Sequence, residues 1–180
     1  MTFIPTLSIL SALKTELESI ALPGGAPGEK LFERVDFHEN KKLREALADL
    51  IIVKQRVCIV VPGGDSYENF REGRTTRSVL TQTFDLLIAD RAWAKGGHEA
   101  VFGGARNLGV IRMKDTVRDH FVTRPQLGLP HVVLIPQEGA HIEIADSDAK
   151  DSPGRECFVL HYATPAGEAL LVPTTVYPTL

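Results

Sequence analysis

The sequence predicts an α+β fold: one mainly antiparallel sheet, helices packed on one of its faces, and a long central hairpin. Two strand-like runs, 56–61 and 78–89, flank a polar stretch, as the two strands of a hairpin do. Helical patterns occur as inserts between pairs of strands rather than in strict alternation with single strands. At 180 residues the chain has the length of a single domain, 1–180, which can bury a core without disulfides.

The central hairpin has the most regular pattern in the chain. In the run 78–89, alternate positions on one face are Leu80, Gln82, Phe84, Leu86 and Ile88. The positions between them include Val79, Thr81, Thr83 and Asp85. This period of two predicts one buried face and one exposed face. Between the two strands we expect an extended polar loop, 62–77, that opens with a Gly-Gly-Asp turn.

The N-terminal third is predicted to form a helix, a short strand and a second helix. The first helix begins near Thr6, has Thr6 or Ser8 as its cap, and runs for about four turns. Its apolar positions are Leu7, Ile9, Leu10, Leu13, Leu17 and Ile20. A connector rich in glycine and proline, 22–28, ends it. A strand over 31–37 and a helix over 41–50 follow.

After the hairpin we expect a glycine-containing loop, 93–104, and a helix over 108–122 that Asn107 caps. The apolar face of this helix is Val110, Met113, Val117 and Phe121. The segments 131–135 and 141–145 are predicted to form a hairpin that turns at 136–139. A polar loop at 146–154 and two further strands complete the chain. These strands are 156–162 and 169–176, and Pro173 in the second is typical of a sheet edge.

Composition and charge limit the class of protein. The chain is 43% hydrophobic and 24% charged, as soluble globular proteins are. A net charge of -3 argues against a nucleic-acid binder that depends on bulk positive charge. The N-terminus lacks the features of a signal peptide, and no run approaches the roughly 18 apolar residues of a membrane span. We therefore expect a cytoplasmic environment, with Cys58 and Cys157 as buried free thiols; a disulfide between them stays an alternative.

Residue spacings typical of catalysis are weak in this chain. The segment 103–109 precedes a helix, as an anion cradle does, but it lacks the Lys-Ser/Thr pair of a phosphate loop. We favour a flexible loop with a helix cap. His141 and Glu143 share a strand face and could bind a metal with a third ligand, and His98 and Glu99 are a similar pair. Such pairs arise easily by chance, so we expect no catalytic residue, metal or cofactor.

The tip of the central hairpin is more informative. Its aromatic and arginine residues are Tyr67, Phe70, Arg71, Arg74 and Arg77. Aromatic residues and arginine are the types enriched in protein interfaces. The tip is therefore a candidate contact surface, and the alternative is that it folds back onto its own sheet.

The order of segments from Thr6 to Val122 resembles one protein family. An amphipathic helix precedes Phe32-Glu33-Arg34-Val35, a small Leu- and Ala-rich helix and the strand Arg56 to Pro62. Leu80 to Ala89 follows, and a glycine-containing loop leads into Leu108-Gly109-Val110-Ile111-Arg112-Met113. This layout resembles the tail terminator, or tail-completion, proteins of tailed bacteriophages, including the Mu-like ones.

The resemblance implies a structural virion protein and not an enzyme. Members form a ring, commonly hexameric, that caps the tail tube, stops its growth and joins it to the head. The implied partners are further copies of the chain, the tail tube protein, the tail sheath if the tail is contractile, and head–tail connector proteins. The implied location is the virion tail, after assembly in the host cytoplasm. The contact segments would be 62–77 and 93–106, which adds Trp93, His98 and Arg106 to the candidate interface.

Two other classes of function stay open. One is a small metal-dependent enzyme whose site is assembled from His98, Glu99, His141 and Glu143. The other is a monomeric binding module. Native mass separates a ring subunit from a monomeric module, and a stoichiometric bound metal would favour the enzyme.

Overall fold

The centre of the fold is a five-stranded mixed sheet. The structure is a computed structural model that describes residues 4–37, 55–72, 75–91, 98–104, 107–129, 132–144 and 155–173. In chain order, the elements in these residues are α1 (Thr6–Ser19), β1 (Arg34–Phe37), β2 (Arg56–Glu72), β3 (Thr75–Arg91), α2 (His98–Phe102), α3 (Val110–Thr123), β4 (Ile135–Ile144) and β5 (Arg155–Pro173).

The strand order β1-β2-β3-β5-β4 places β3 at the centre of the sheet. The β1–β2 pair is parallel, and the β2–β3, β3–β5 and β4–β5 pairs are antiparallel. Strands β2 and β3 are the predicted long central hairpin. A mostly antiparallel sheet with helices confirms the predicted α+β fold.

The core lies between the sheet and helices α1 and α3. Both helices are amphipathic, and their apolar stripes pack on the same face of the sheet. The helical members of this core are Ile9, Leu13, Leu17, Val110, Met113, Val117 and Phe121. The sheet contributes Cys58, Val60, Leu80, Phe84, Leu86 and Ile88. Burying each large apolar side chain stabilises the fold by about 1.5–3 kcal/mol, which makes this interface the main source of stability.

The opposite face of the hairpin is also buried over part of its length. Val57, Ile59, Leu87 and Ala89 are at most 2% exposed. Farther along β3 the same face is only half-buried, at Val79, Thr81, Thr83 and Asp85. The predicted contrast between a buried and an exposed face therefore holds for 79–85. It fails for 86–89, where both faces are buried.

The predicted helix caps are wrong at both long helices. Helix α1 has Pro5 at its N-cap and no side-chain cap, and its Ser8 N–H donates to the Pro5 carbonyl at 2.9 Å. Helix α3 has Gly109 at its N-cap, and the Asn107 side chain donates to Asp90 instead. At the start of α1 the Pro5 carbonyl accepts a backbone hydrogen bond from the first turn. At the start of α3 a glycine with φ of 88° takes the N-cap position, where a polar side chain was expected.

Three predicted loops or turns are strand or helix in the structure. Most of the expected polar loop 62–77 is paired strand, because β2 runs to Glu72 and β3 begins at Thr75. The expected loop 93–104 contains helix α2. The expected turn at 136–139 is a bulge within one continuous strand, β4, between Pro136 and Gly139.

The last two strand predictions merge into one element. Strand β5 runs without interruption from Arg155 to Pro173, so 156–162 and the start of 169–176 belong to the same strand. Strand β1 falls within the predicted 31–37. The predicted helix 41–50 and polar loop 146–154 lie outside the described residues.

Candidate assembly surface

The outer part of β2 leaves the packed part of the sheet, while the β3 segment beside it keeps Leu80 and Gln82 buried. We call residues 62–72 of β2 and 75–83 of β3 the arm. Every side chain from Pro62 to Arg71 is exposed, whereas the preceding 57–60 are buried. Strand β5 pairs with the far side of β3 as far as Pro173, so the arm is three strands wide at its end. Eight residues from Asp65 to Glu72 span roughly 26 Å of extended chain.

A bulge at the base of the arm sets its direction. Pro62 pairs with Phe84 and Asp65 pairs with Gln82, so β2 has one extra residue there. Gly63 is required at this point, because a Cβ on it would lie 2.2 Å from the Thr83 hydroxyl oxygen. The Thr83 hydroxyl donates to the Gly64 carbonyl at 2.9 Å. Bulges bend a strand and increase its twist, so this one turns the arm relative to the core sheet.

The two aromatic residues of the arm lie on opposite faces. Residues directly opposite on antiparallel strands share a face. Tyr67 pairs with Leu80, whose side chain belongs to the core under the helices, so Tyr67 is on the helix-bearing face. Phe70 pairs with Arg77, on the other face. Tyr67 is 58% and Phe70 45% exposed, so each face of the arm presents one aromatic ring to solvent.

The structure divides the predicted interface residues into two groups. Tyr67, Phe70 and Arg71 lie on β2, and Arg77 lies opposite Phe70 on β3, so these four share the arm. His98 begins helix α2, which follows the other end of β3. The 17 residues of β3 put roughly 50 Å between its ends, so the two groups are far apart. Arg74, Trp93 and Arg106 lie outside the described residues.

A groove that the sequence did not reveal lies between the end of helix α3 and the start of β4. Its volume is about 540 Å³. The lining residues are Arg118, Phe121, Val122, Pro125, Leu134, Pro136 and Gln137. The Leu134 N–H donates to the Pro125 carbonyl at 2.8 Å and holds the two walls together. The available signal was the unbroken apolar run 132–135, since a half-buried strand alternates and such a run leaves apolar side chains exposed.

Most of the lining of the groove is apolar, and one of its side chains, Val122, is 73% exposed. Val133 and Ile135, the chain neighbours of the lining residue Leu134, are 42% and 44% exposed. Phe121, at 2% exposure, belongs to the core and forms the floor. An apolar concave surface with an exposed apolar side chain in its lining is typical of a contact or ligand site.

Arg118 is the charged side chain in the lining of the groove. It forms no ion pair within the described part of the chain, although Asp115 and Asp119 share its helix. Helix α3 itself is held in place, because His120 Nε2 lies 2.8 Å from Glu16 Oε2 of helix α1. The guanidinium of Arg118 is therefore presented by a fixed helix beside an apolar cavity.

The glycine-containing segment before helix α3 is a packed connection. Gly103 and Gly109 both have φ of +88°, and a Cβ on Gly109 would lie 2.3 Å from the Gly103 nitrogen. The buried Asp90 carboxylate accepts hydrogen bonds from the Gly109 N–H at 2.9 Å and from Asn107 Nδ2 at 3.1 Å. This carboxylate occupies the position at the helix N-terminus that an anion would take.

The candidate metal ligands and the cysteines can be placed from the strand register. His141 and Glu143 are alternate residues of β4, opposite Phe158 and Glu156. No three His, Cys, Asp or Glu residues form a metal-binding group in the part of the chain that the structure describes. Cys58 is buried on β2 and forms no disulfide in the described residues, and Cys157 is on β5, two strand spacings or roughly 10 Å away. That separation exceeds the reach of a disulfide.

Comparison with protein-family models and curated proteins found no relative. Among the residues described, no helix has the length and apolarity needed to cross a bilayer.

Proposed function

We propose that this chain is a tail terminator subunit of a tailed bacteriophage or a tail-like particle. It assembles with further copies into a closed ring that caps the tail tube and joins it to the head. The observation that supports the proposal is the arm, because its β2 strand carries two exposed aromatic residues, Tyr67 and Phe70. Because Tyr67 and Phe70 are exposed, they contribute little to the stability of an isolated monomer, whereas aromatic residues of this kind are typical anchors in an interface.

The order of elements also supports the proposal. The resemblance to tail terminators rests on residues 6–122, and the described elements α1, β1, β2, β3 and α3 occur in that expected order. In such a ring the arm of one subunit contacts a different surface on the next, which is the geometry that closes a ring rather than a symmetric pair. The tail tube protein, the sheath of a contractile tail and the head–tail connector proteins are the further partners.

The test uses tails assembled without a terminator. Wild-type protein added to these tails is expected to fix their length and make them competent to join heads, which electron microscopy measures. The combined change Phe70→Ala and Arg74→Ala is expected to abolish both effects, since interface anchors can each contribute about 2 kcal/mol or more to binding. The melting temperature should stay nearly unchanged, because Phe70 is 45% exposed and lies outside the core.

The matched control is Leu7→Ala, which removes an apolar side chain that is 71% exposed on helix α1. This variant should fix tail length as the wild type does. Normal tails with the double variant would show that the arm is not an assembly element. A wild-type protein that left tail length uncontrolled would contradict the proposed function itself.

A further inference from the structure

The arm and the groove have complementary chemistry. On the arm, Glu68 and Phe70 are two residues apart on β2 and therefore share a face, the one opposite Tyr67. Both are exposed, and Glu68 has no ion pair in the described residues. The groove has the complementary features, an apolar cavity and the positively charged guanidinium of Arg118 in its wall. One surface offers an aromatic ring beside a carboxylate, and the other offers a cavity beside a cation.

These two surfaces cannot meet within one copy of the chain. The groove wall at Pro136 is level with Phe84 of β3, because Pro136 pairs with Tyr162 and Tyr162 pairs with Phe84. Phe70 is level with Arg77, seven residues farther along β3, which corresponds to roughly 23 Å. Strands β2 and β4 are also three positions apart in the sheet, roughly 14 Å. The partner for each surface must be another molecule.

We propose that Phe70 of one copy enters the groove of a second copy, where Glu68 pairs with Arg118. This inference rests on the proposed function, and it identifies the surface that the arm binds in the ring. The contact is between different surfaces of identical chains, so each copy keeps a free arm and a free groove until the ring closes. An ion pair next to a buried aromatic anchor fixes the register of such a contact and excludes like-charged partners.

A second copy is the occupant that the charges favour. Arg118 is unpaired in the described part of the chain and lies beside an apolar wall, so a purely apolar occupant would bury it without a counter-charge. A buried charge without a partner is costly, and a carboxylate next to an aromatic ring removes that cost. Glu68 and Phe70 supply this pair at the spacing of alternate strand residues, and every copy supplies them in the same number as grooves.

The test is a charge exchange between two variants. Glu68→Arg places two cations at each contact, and Arg118→Glu places two carboxylates there. Each variant alone is expected to weaken self-association at least about tenfold in the dissociation constant, measured by sedimentation across a range of concentrations. In an equimolar mixture every contact between unlike variants is again between opposite charges. The mixture is therefore expected to regain the wild-type mass with strictly alternating copies.

Two matched controls separate this contact from general charge effects. Asp65→Arg makes a similar reversal on the opposite face of the arm, and Arg112→Glu makes one on the exposed face of helix α3, away from the groove. Both controls should associate as the wild type does. All four side chains are outside the core, so the circular dichroism spectrum and melting temperature should change little.

The possible outcomes are distinct. If either Glu68→Arg or Arg118→Glu associates normally, or if the mixture of the two stays dissociated, the proposed contact is overturned and the groove serves another occupant. A wild-type protein that is monomeric at every concentration also overturns it. If the mixture reassembles but fails to fix tail length, the contact stands and the terminator function fails. If wild type fixes tail length and the exchange has no effect on mass, the function stands and the contact fails.

Discussion

The buried carboxylate of Asp90 accepts a hydrogen bond from the Gly109 N–H at 2.9 Å, which ties the end of β3 to the start of helix α3. Asp90 also accepts from Asn107 Nδ2 at 3.1 Å, and its side chain is fully buried. Helix α3 forms one wall of the groove. Its position, and therefore the position of Arg118, depends on this carboxylate.

We expect Asp90→Ala to destabilise the protein by about 3 kcal/mol or more. The change leaves two buried donors without their acceptor, and each unsatisfied group costs about 1–3 kcal/mol. Asp90→Asn keeps one acceptor oxygen and should cost less. Urea denaturation measures both values. Asp115→Ala, which removes an exposed carboxylate of α3, is the control and should stay within about 0.5 kcal/mol of wild type. A similar small loss for Asp90→Ala would show that the carboxylate does not hold the helix.

A second prediction concerns the contact between Gly103 and Gly109. Gly109→Ala should cost about 3 kcal/mol or more, because a left-handed conformation costs an L-residue about 1–2 kcal/mol and overpacking adds about 1–3 kcal/mol. Gly28→Ala is the matched control: its φ is +86°, close to the +88° of Gly109, but nothing lies within 4 Å of an added Cβ. It should cost only the conformational part. Equal losses in thermal unfolding would contradict the close approach of the two backbones.

The third prediction is a double-mutant cycle on Gln82 and Thr6. Gln82 Nε2 donates to Thr6 Oγ1 at 2.7 Å, and its buried Oε1 has no partner among the described residues. Thr6→Val leaves the whole amide unsatisfied and should cost about 1–3 kcal/mol. Gln82→Leu removes both polar atoms from the core and should cost less, and the double variant should be no worse than Gln82→Leu alone. Additive losses in denaturant titrations would show that the two side chains are not coupled.

The fourth prediction tests which face of β3 is inside. Phe84 is fully buried, and Phe84→Ala should cost about 3–5 kcal/mol. Leu7→Ala, at a site that is 71% exposed, should change stability by less than about 0.5 kcal/mol. Both are measured by denaturant unfolding. A loss below about 1 kcal/mol for Phe84→Ala would place the core on the other side of the strand.

A fifth prediction separates a structural protein from an enzyme. We expect His98→Ala and His141→Ala, made singly, to leave assembly intact, because neither histidine has the spacing of a metal or nucleophile site. Tail length and native mass are the measurements. If either variant stayed folded and lost all function, the metal-dependent enzyme would become the better hypothesis.

Periodicity in the sequence predicts the core between the helices and the sheet. Leu13, Leu17, Phe84, Leu86, Val117 and Phe121 lie on the apolar faces predicted for α1, β3 and α3, and all of them are buried. Leu10 was also expected inside but is half-buried, since Ile9 occupies the buried position next to it. Period two and period 3.6 report burial directly, because the side chains that face the core repeat with the backbone.

The helix caps, the turns and the groove could not be predicted from periodicity. Asn107 has the residue type of a helix cap, but its amide is engaged by Asp90, 17 positions earlier in the chain. Pro136 and Gly139 have the residue types of a turn, but both pair with β5, and the residues between them form a bulge in β4. The groove joins residues from two elements, so no local pattern describes it. These features depend on contacts between distant segments, which a single sequence does not display.

The order in which strands join the sheet has a kinetic consequence. Strands β2 and β3 are adjacent in the chain, so their hairpin closes locally and quickly. On its other side β3 pairs with β5, where Thr83 meets Ala163, 80 positions later. Closing so long a loop is slow, because its entropy must be lost before the pairing contributes. During synthesis one edge of the central strand β3 therefore stays unpaired until β5, residues 155–173, has been made.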